Sequence, residues 1–174
     1  MGECDVEPGR LAVDNSPSSG VLRVRFAGRV RVVQRNTATG RLVSDSGWHA
    51  NTVTNAYLQA VMQWSGGVNN VGQNPVPFAG YTELGTGSGT PAVTDKSLFA
   101  PVSATFQSCL AISLLTSPAN TEQWISVYTA NPGTYTEVGL LTADGALYAH
   151  LMTSVTISSG NQTSITWQIT AGAG

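Results

Sequence analysis

Residues 134–151 read TYTEVGLLTADGALYAHL, and the fold follows from how this stretch is parsed. Two runs of β-favouring residues, Tyr135 to Thr142 and Ala146 to Met152, flank Ala143-Asp144-Gly145, and Asp-Gly between such runs is a strong hairpin signal. Asp144 tolerates the left-handed backbone region and Gly145 occupies it without a Cβ clash, so these two residues are expected to make the turn. Val138, Leu140 and Leu147 fall where alternation buries them, while Leu141 and Leu151 imply cover on both faces. Glu137 is a carboxylate leading into an apolar run. The expected role for such a group is to accept backbone N–H bonds that fix a loop, with the Gly85 to Gly89 segment as the candidate loop; a buried general acid is the competing role.

Length and composition limit the class. A chain of 174 residues suits one domain, or one domain with an arm. Only 10% of the residues are charged, against about one quarter in an average protein, so much of the surface is expected to meet other protein. No apolar run approaches the roughly 20 residues that cross a bilayer, and Met-Gly-Glu-Cys-Asp lacks the pattern of a signal peptide. The expectation is therefore synthesis in a cytoplasm and no membrane partner. Cys4 and Cys109 are too few for a disulfide framework or a metal site.

Residues 1–20 have no sustained period and contain Pro8, Pro17 and several Gly and Ser, which predicts an extended N-terminal docking arm laid against a neighbour. A single domain over 21–174 follows. From Val21 to Gln34 apolar residues alternate with Arg23, Arg25, Arg29 and Arg31, so the four guanidinium groups leave one face of a long strand. Gly28 marks a bulge or a close backbone approach. Residues 21–41 hold six arginines and no acid, whereas beyond 41 only Lys96 opposes six acids, so the Arg row is expected either to be a solvated face or to meet an acidic protein surface. An Arg row can also track phosphates, but a net charge of −2 and the lack of interleaved aromatics argue against nucleic acid.

After a turn near Thr37 to Gly40 and a return strand, one helix is expected at about 52–64, capped by Asn51 or Thr52, with Val53, Tyr57, Val61 and Trp64 as its apolar stripe. Residues 68–78 read as a surface loop. The glycines at 85, 87 and 89 lack the Gly-Lys-Ser/Thr step of a phosphate-binding loop, so a tight turn is expected there, followed by a capped helical turn at Thr94 to Leu98. Further strands are expected at about 104–115, 123–130 and 164–170. Together these spacings predict an all-β, jelly-roll-like β-sandwich with one short helix and an extended arm.

Three signatures occur in order: His49-Ala50-Asn51-Thr52-Val53-Thr54-Asn55 before the helix; Glu83-Leu84-Gly85-Thr86-Gly87 with Thr94-Asp95 and Leu98; and Glu137-Val138-Gly139-Leu140-Leu141 with the Asp-Gly hairpin and a closing Ile165-Thr166-Trp167 strand. Over about residues 37–170 this pattern resembles small structural proteins of tailed-bacteriophage particles. The resemblance implies a β-rich virion component without enzymatic activity, on the capsid, neck or tail, whose partners are other virion proteins such as the major capsid protein, as a homo-oligomer assembled in the host cytoplasm.

The catalytic inventory is thin. His49 and His150 are the available near-neutral bases, no Gly-x-Ser-x-Gly elbow or metal-ligand spacing occurs, and no cofactor motif is present. His49 is expected at a loop or core edge, and His150 at a solvated or subunit-facing position of the hairpin. The first function class is a capsid decoration or cement protein, with a neck, tail or fibre-attachment protein as its alternative. A carbohydrate-binding β-sandwich is a more distant reading; it needs two coplanar exposed aromatics among Trp48, Trp64, Trp124 and Trp167. A cell-wall hydrolase needs a convergent acid and base, which the sequence does not assemble.

Overall fold

The expected all-β architecture is present. The computed structural model describes residues 10–14, 21–65 and 79–173. Its first half contains β1 (Arg10–Asp14), β2 (Val21–Asn36), β3 (Leu42–Val53), α1 (Asn55–Ser65) and β4 (Ala79–Gly85). Then come a 3-10 turn (Ser103–Thr105), β5 (Gln107–Ser108), β6 (Ala111–Leu115), β7 (Thr121–Tyr128), β8 (Gly133–Thr142), β9 (Leu147–Ile157) and β10 (Asn161–Ala173). The strands form one antiparallel sheet in the order β5-β4-β8-β9-β3-β2-β10-β7-β6, with β1 also on β2.

This sheet doubles back on itself. β3 pairs with β2 through most of its length and then, at Thr52 and Val53, with His150 and Ala149 of β9, which carries the chain from one half to the other. The β5–β6 segment makes the opposite crossing: β5 pairs with β4, Cys109 N–H bonds Gly80 O at 2.7 Å, and Leu110 N–H bonds Ile125 O at 2.7 Å as the chain joins β7. Between the halves, Val30, Trp124, Ile165, Trp167 and Ile169 pack with Leu84, Val138, Leu140, Leu151, Val155 and Ile157 in one core. Bonds cross the sandwich as well: Trp124 Nε1–H to Ala79 O at 3.0 Å, and the Tyr128 hydroxyl to Thr82 Oγ1 at 2.8 Å.

Period-two alternation accounts for most of this. In β2, Val30 and Val32 are buried and Arg25 is exposed. Gly28 faces Asn51 across the β2–β3 pair, and a Cβ there would lie 2.0 Å from Asn51 Oδ1, which is the close approach the sequence predicts. The β8–β9 hairpin also forms. Gly145 has φ +86°, whereas Asp144 is absent from the positive-φ residues, so only Gly145 takes the left-handed conformation. Asp144 instead accepts the Thr142 hydroxyl, and Thr142 N–H bonds Ala146 O at 3.0 Å, closing a three-residue loop with its left-handed residue last.

Three local expectations shift. The helix starts at Asn55 rather than near 52, because Val53 is still in β3 and Thr54 bonds the hairpin through its N–H to Tyr148 O and its hydroxyl to Leu147 O. The strand expected at 104–115 is broken by the 3-10 turn and by the crossing at Cys109 and Leu110. Thr94 to Leu98 is not helical; Asp95 closes a tight turn, accepting from Ala92 N–H at 2.9 Å and donating its own N–H to Ala92 O at 3.1 Å. Within the expected arm, β1 pairs antiparallel with β2, from Arg10 opposite Arg25 to Asp14 opposite Val21. Residues 1–9 and 15–20 of the arm, the 68–78 loop and Cys4 lie outside the described residues.

Candidate functional site

The chain's most concentrated polar chemistry lies on the outer face of the β8–β9 hairpin. Val138 and Leu140 point into the main core, so Glu137, Gly139 and Leu141 point the other way, and in register with Gly139 stands His150 on β9. The segment from Thr86 to Phe106 crosses over this face. Leu98, Leu141 and Leu147 form a second, smaller core beneath it, joined by Tyr81 and Phe106. Gly139 leaves room for that cover, since a Cβ there would meet Leu147 Cδ1 at 2.8 Å and Leu98 Cδ2 at 3.0 Å.

Glu137 is fully buried, and its carboxylate is fully used. Oε1 accepts the N–H groups of Gly87 at 3.0 Å and Ala100 at 2.8 Å; Oε2 accepts Phe99 N–H at 2.9 Å and lies 3.0 Å from His150 Nε2. The loop-fixing role read from the sequence is therefore the one found, and the glycine-rich segment is one of its targets. Thr136 adds a hydroxyl bond to Gly87 O at 2.6 Å. Burial pushes the Glu137 carboxyl up, but the three backbone N–H bonds and His150 outweigh it and hold the group below its ordinary range.

His150 corrects an expectation. It is neither solvated nor at a free surface: it has no exposure, its Nδ1 lies 3.0 Å from Asp95 Oδ2, and Phe99 packs on its ring at 4.9 Å between centroids. The reason is the overlying loop, which turns the outward face of β9 into an interior. Each ring nitrogen of His150 thus lies within hydrogen-bond distance of a carboxylate oxygen. The three backbone N–H groups and His150 occupy the acceptor positions of both Glu137 oxygens. What this arrangement does is clamp the 86–100 loop to the hairpin. The second and third sequence signatures thus meet at one place, Gly87 and Asp95 with Glu137 and His150. His49, from the first, stays apart and exposed, with Nε2 2.9 Å from Ser46 O.

The arginine face is a second polar surface. Arg29 is half-buried; its Nε–H bonds Gln168 Oε1 at 2.8 Å and its guanidinium sits 4.5 Å above the Trp48 ring. Arg31 makes a two-pronged contact with Asp45 across the β2–β3 pair, which draws the Asp45 carboxyl far below its ordinary range and the arginine up. Some of the acid expected on a neighbour is therefore supplied by this chain. Arg25 is exposed, and the side chain of Arg23 lies outside the described residues.

Of the four tryptophans, Trp124 and Trp167 are buried, Trp48 is 39% exposed beneath Arg29, and the Trp64 side chain lies outside the described residues. Among the described residues no group of three or more His, Cys, Asp and Glu side chains is placed to hold a metal ion, and no helix is long and apolar enough to cross a membrane. No family model, curated protein or solved structure matches the chain.

Proposed function

We propose that this chain is a non-enzymatic structural component of a bacteriophage virion, a capsid decoration or cement protein that works through contacts with other virion proteins and needs no cofactor. The observation that carries the reading is the state of its best-placed acid and base. Glu137, His150 and Asp95 are spent on one another and on backbone N–H groups, so the chemistry goes into rigidity and the exposed surface is left for contacts. A rigid β-rich body with few surface charges suits a part that is held among neighbours. Arg25 and the Arg29–Trp48 pair give that surface a basic patch for an acidic virion protein.

A neck, tail or fibre-attachment role fits the same resemblance and is separated from decoration by location. The sugar-binding reading is weakened by the burial of Trp124 and Trp167 and by Arg29 over one face of Trp48. Gradient-purified virions, analysed for this chain by mass spectrometry and labelled with an antibody for electron microscopy, test the proposal. Labelling over the whole capsid at high copy number supports decoration, labelling at one vertex or along the tail moves the assignment there, and absence from virions rejects the proposal.

A further inference from the structure

We propose that β6 is a homotypic docking edge, along which two copies of this chain pair antiparallel about a two-fold axis at Ser113. β6 ends the sheet: it pairs with β7 on one side and with no described strand on the other. An edge strand offers unpaired N–H and C=O groups at alternate residues, and proteins usually protect such edges with charges, proline or bulges. Two other edge strands among the described residues are poorer templates: β3 carries Asp45 and runs beside two register shifts in β2, and β5 has only two residues. Residues 107–121 contain no charged side chain, and Pro118 falls beyond β6.

The side chains point to the same use. Leu110, Ile112 and Leu114 are 74%, 57% and 73% exposed. Ile112 stands opposite buried Trp124 and Leu114 opposite Glu122, so these residues continue the core-side face of β7 past the last hydrogen-bonded strand. An occupant must supply a strand backbone, apolar residues on that face and no charge facing the uncharged edge. β6 meets all three requirements itself. With the axis at Ser113, Ile112 faces Leu114 of the second copy, Leu114 faces Ile112, and Ala111 faces Leu115, an isologous contact that closes on itself. This inference does not depend on the virion reading, and a monomer in solution would leave that reading standing.

The test is the native mass of the purified chain by light scattering and sedimentation over about 5 to 500 µM, because weak pairing is concentration-dependent. The expected result is a shift from 18.1 kDa toward twice that mass. Ile112→Lys and Leu114→Lys should each loosen the pairing by roughly tenfold or more while leaving the melting temperature at the lowest, monomeric concentration unchanged, since both side chains face solvent in the single chain. A second readout does not depend on those variants. Ser113→Cys, with Cys4→Ser and Cys109→Ala, should form disulfide-linked dimers under mild oxidation, because residues facing each other across a pair have Cβ atoms about 4.5 to 5.5 Å apart. Ser159→Cys in the same background, on the exposed β9–β10 turn, should not. A monomer at every concentration, a dimer indifferent to both lysine variants, or crosslinking of Ser113→Cys no greater than that of Ser159→Cys would each overturn the proposal.

Discussion

Glu137 Oε2 lies 3.0 Å from His150 Nε2, and neither side chain has any exposure to solvent. The pair joins two neighbouring strands diagonally, and through Gly87, Phe99, Ala100 and Asp95 it fixes a loop more than thirty residues away in sequence. Removing one partner of such a network leaves the others buried and unpaired, so the clamp should respond far more to single substitutions than an exposed ion pair would.

Glu137→Gln keeps the shape but turns one acceptor into a donor facing N–H groups. Thermal unfolding should show a loss of about 3 kcal/mol, which for a chain of this size is roughly 6 to 12 °C in Tm. Amide hydrogen exchange at Gly87, Phe99 and Ala100 should accelerate more than in β10. Combined with His150→Ala, the two losses should sum to more than the double variant shows, since both act on one network.

Acidification should expose the same carboxylate. Burial raises the Glu137 carboxyl, the N–H and His150 bonds lower it further, and the net position is below the ordinary 4.5. A depressed carboxylate contributes stability that is present above its unfolded value and is lost as pH falls through its folded one. The wild type should therefore lose stability as pH drops below 4.5, and the difference between it and Glu137→Gln should shrink there. Glu122, raised by burial, has the opposite sign, but it is common to both proteins and cancels in the difference.

Gly87→Ala should damage the clamp sterically. The added Cβ would lie 2.5 Å from Phe99 Cβ, 2.6 Å from Glu137 Oε1 and 2.8 Å from Ala100 N. Overpacking of this kind costs about 1 to 3 kcal/mol. Gly172→Ala, with nothing within 4 Å, should leave the melting temperature within error.

The features legible in the sequence are those set by short-range periodicity and turn chemistry. The β8–β9 hairpin, the alternation of β2 and the burial of Ile165, Trp167 and Ile169 needed only neighbours a few residues apart. The loop-fixing role of Glu137 was legible because a carboxylate at the head of an apolar run needs donors, and the glycine-rich segment could supply them. His150 was not: its parity placed it outward, and that it is buried depends on a loop 55 residues distant in sequence at Asp95. The helix start at Asn55 has a related cause. Asn51 and Thr52 are good local caps, but pairing with β9 holds Thr52 and Val53 in a strand. The breaking of residues 104–115 into three pieces reflects the crossing between halves of the sandwich, which no local pattern records.

On the arginine face, Arg25→Glu with Arg29→Glu should reduce incorporation into particles most at low salt, with partial recovery as salt screens the repulsion. The isolated domain should stay folded and lose about 1 to 2 kcal/mol. Nearly all of it comes from half-buried Arg29, which gives up its bond to Gln168 and its place over Trp48, whereas exposed Arg25 contributes little. Val30→Asp, which puts a carboxylate into the main core, should instead prevent folding. Equal incorporation of the double variant at low salt would remove this face from the docking surface.

The proposed role is that the chain stabilises a virion by contact. Its most direct test is the temperature at which genome is released from purified particles that carry or lack the chain, followed by dye access to DNA during heating. Complete particles that assemble without it but release DNA at a lower temperature are the predicted result. Complete particles that lack it and release DNA at the same temperature would contradict the account.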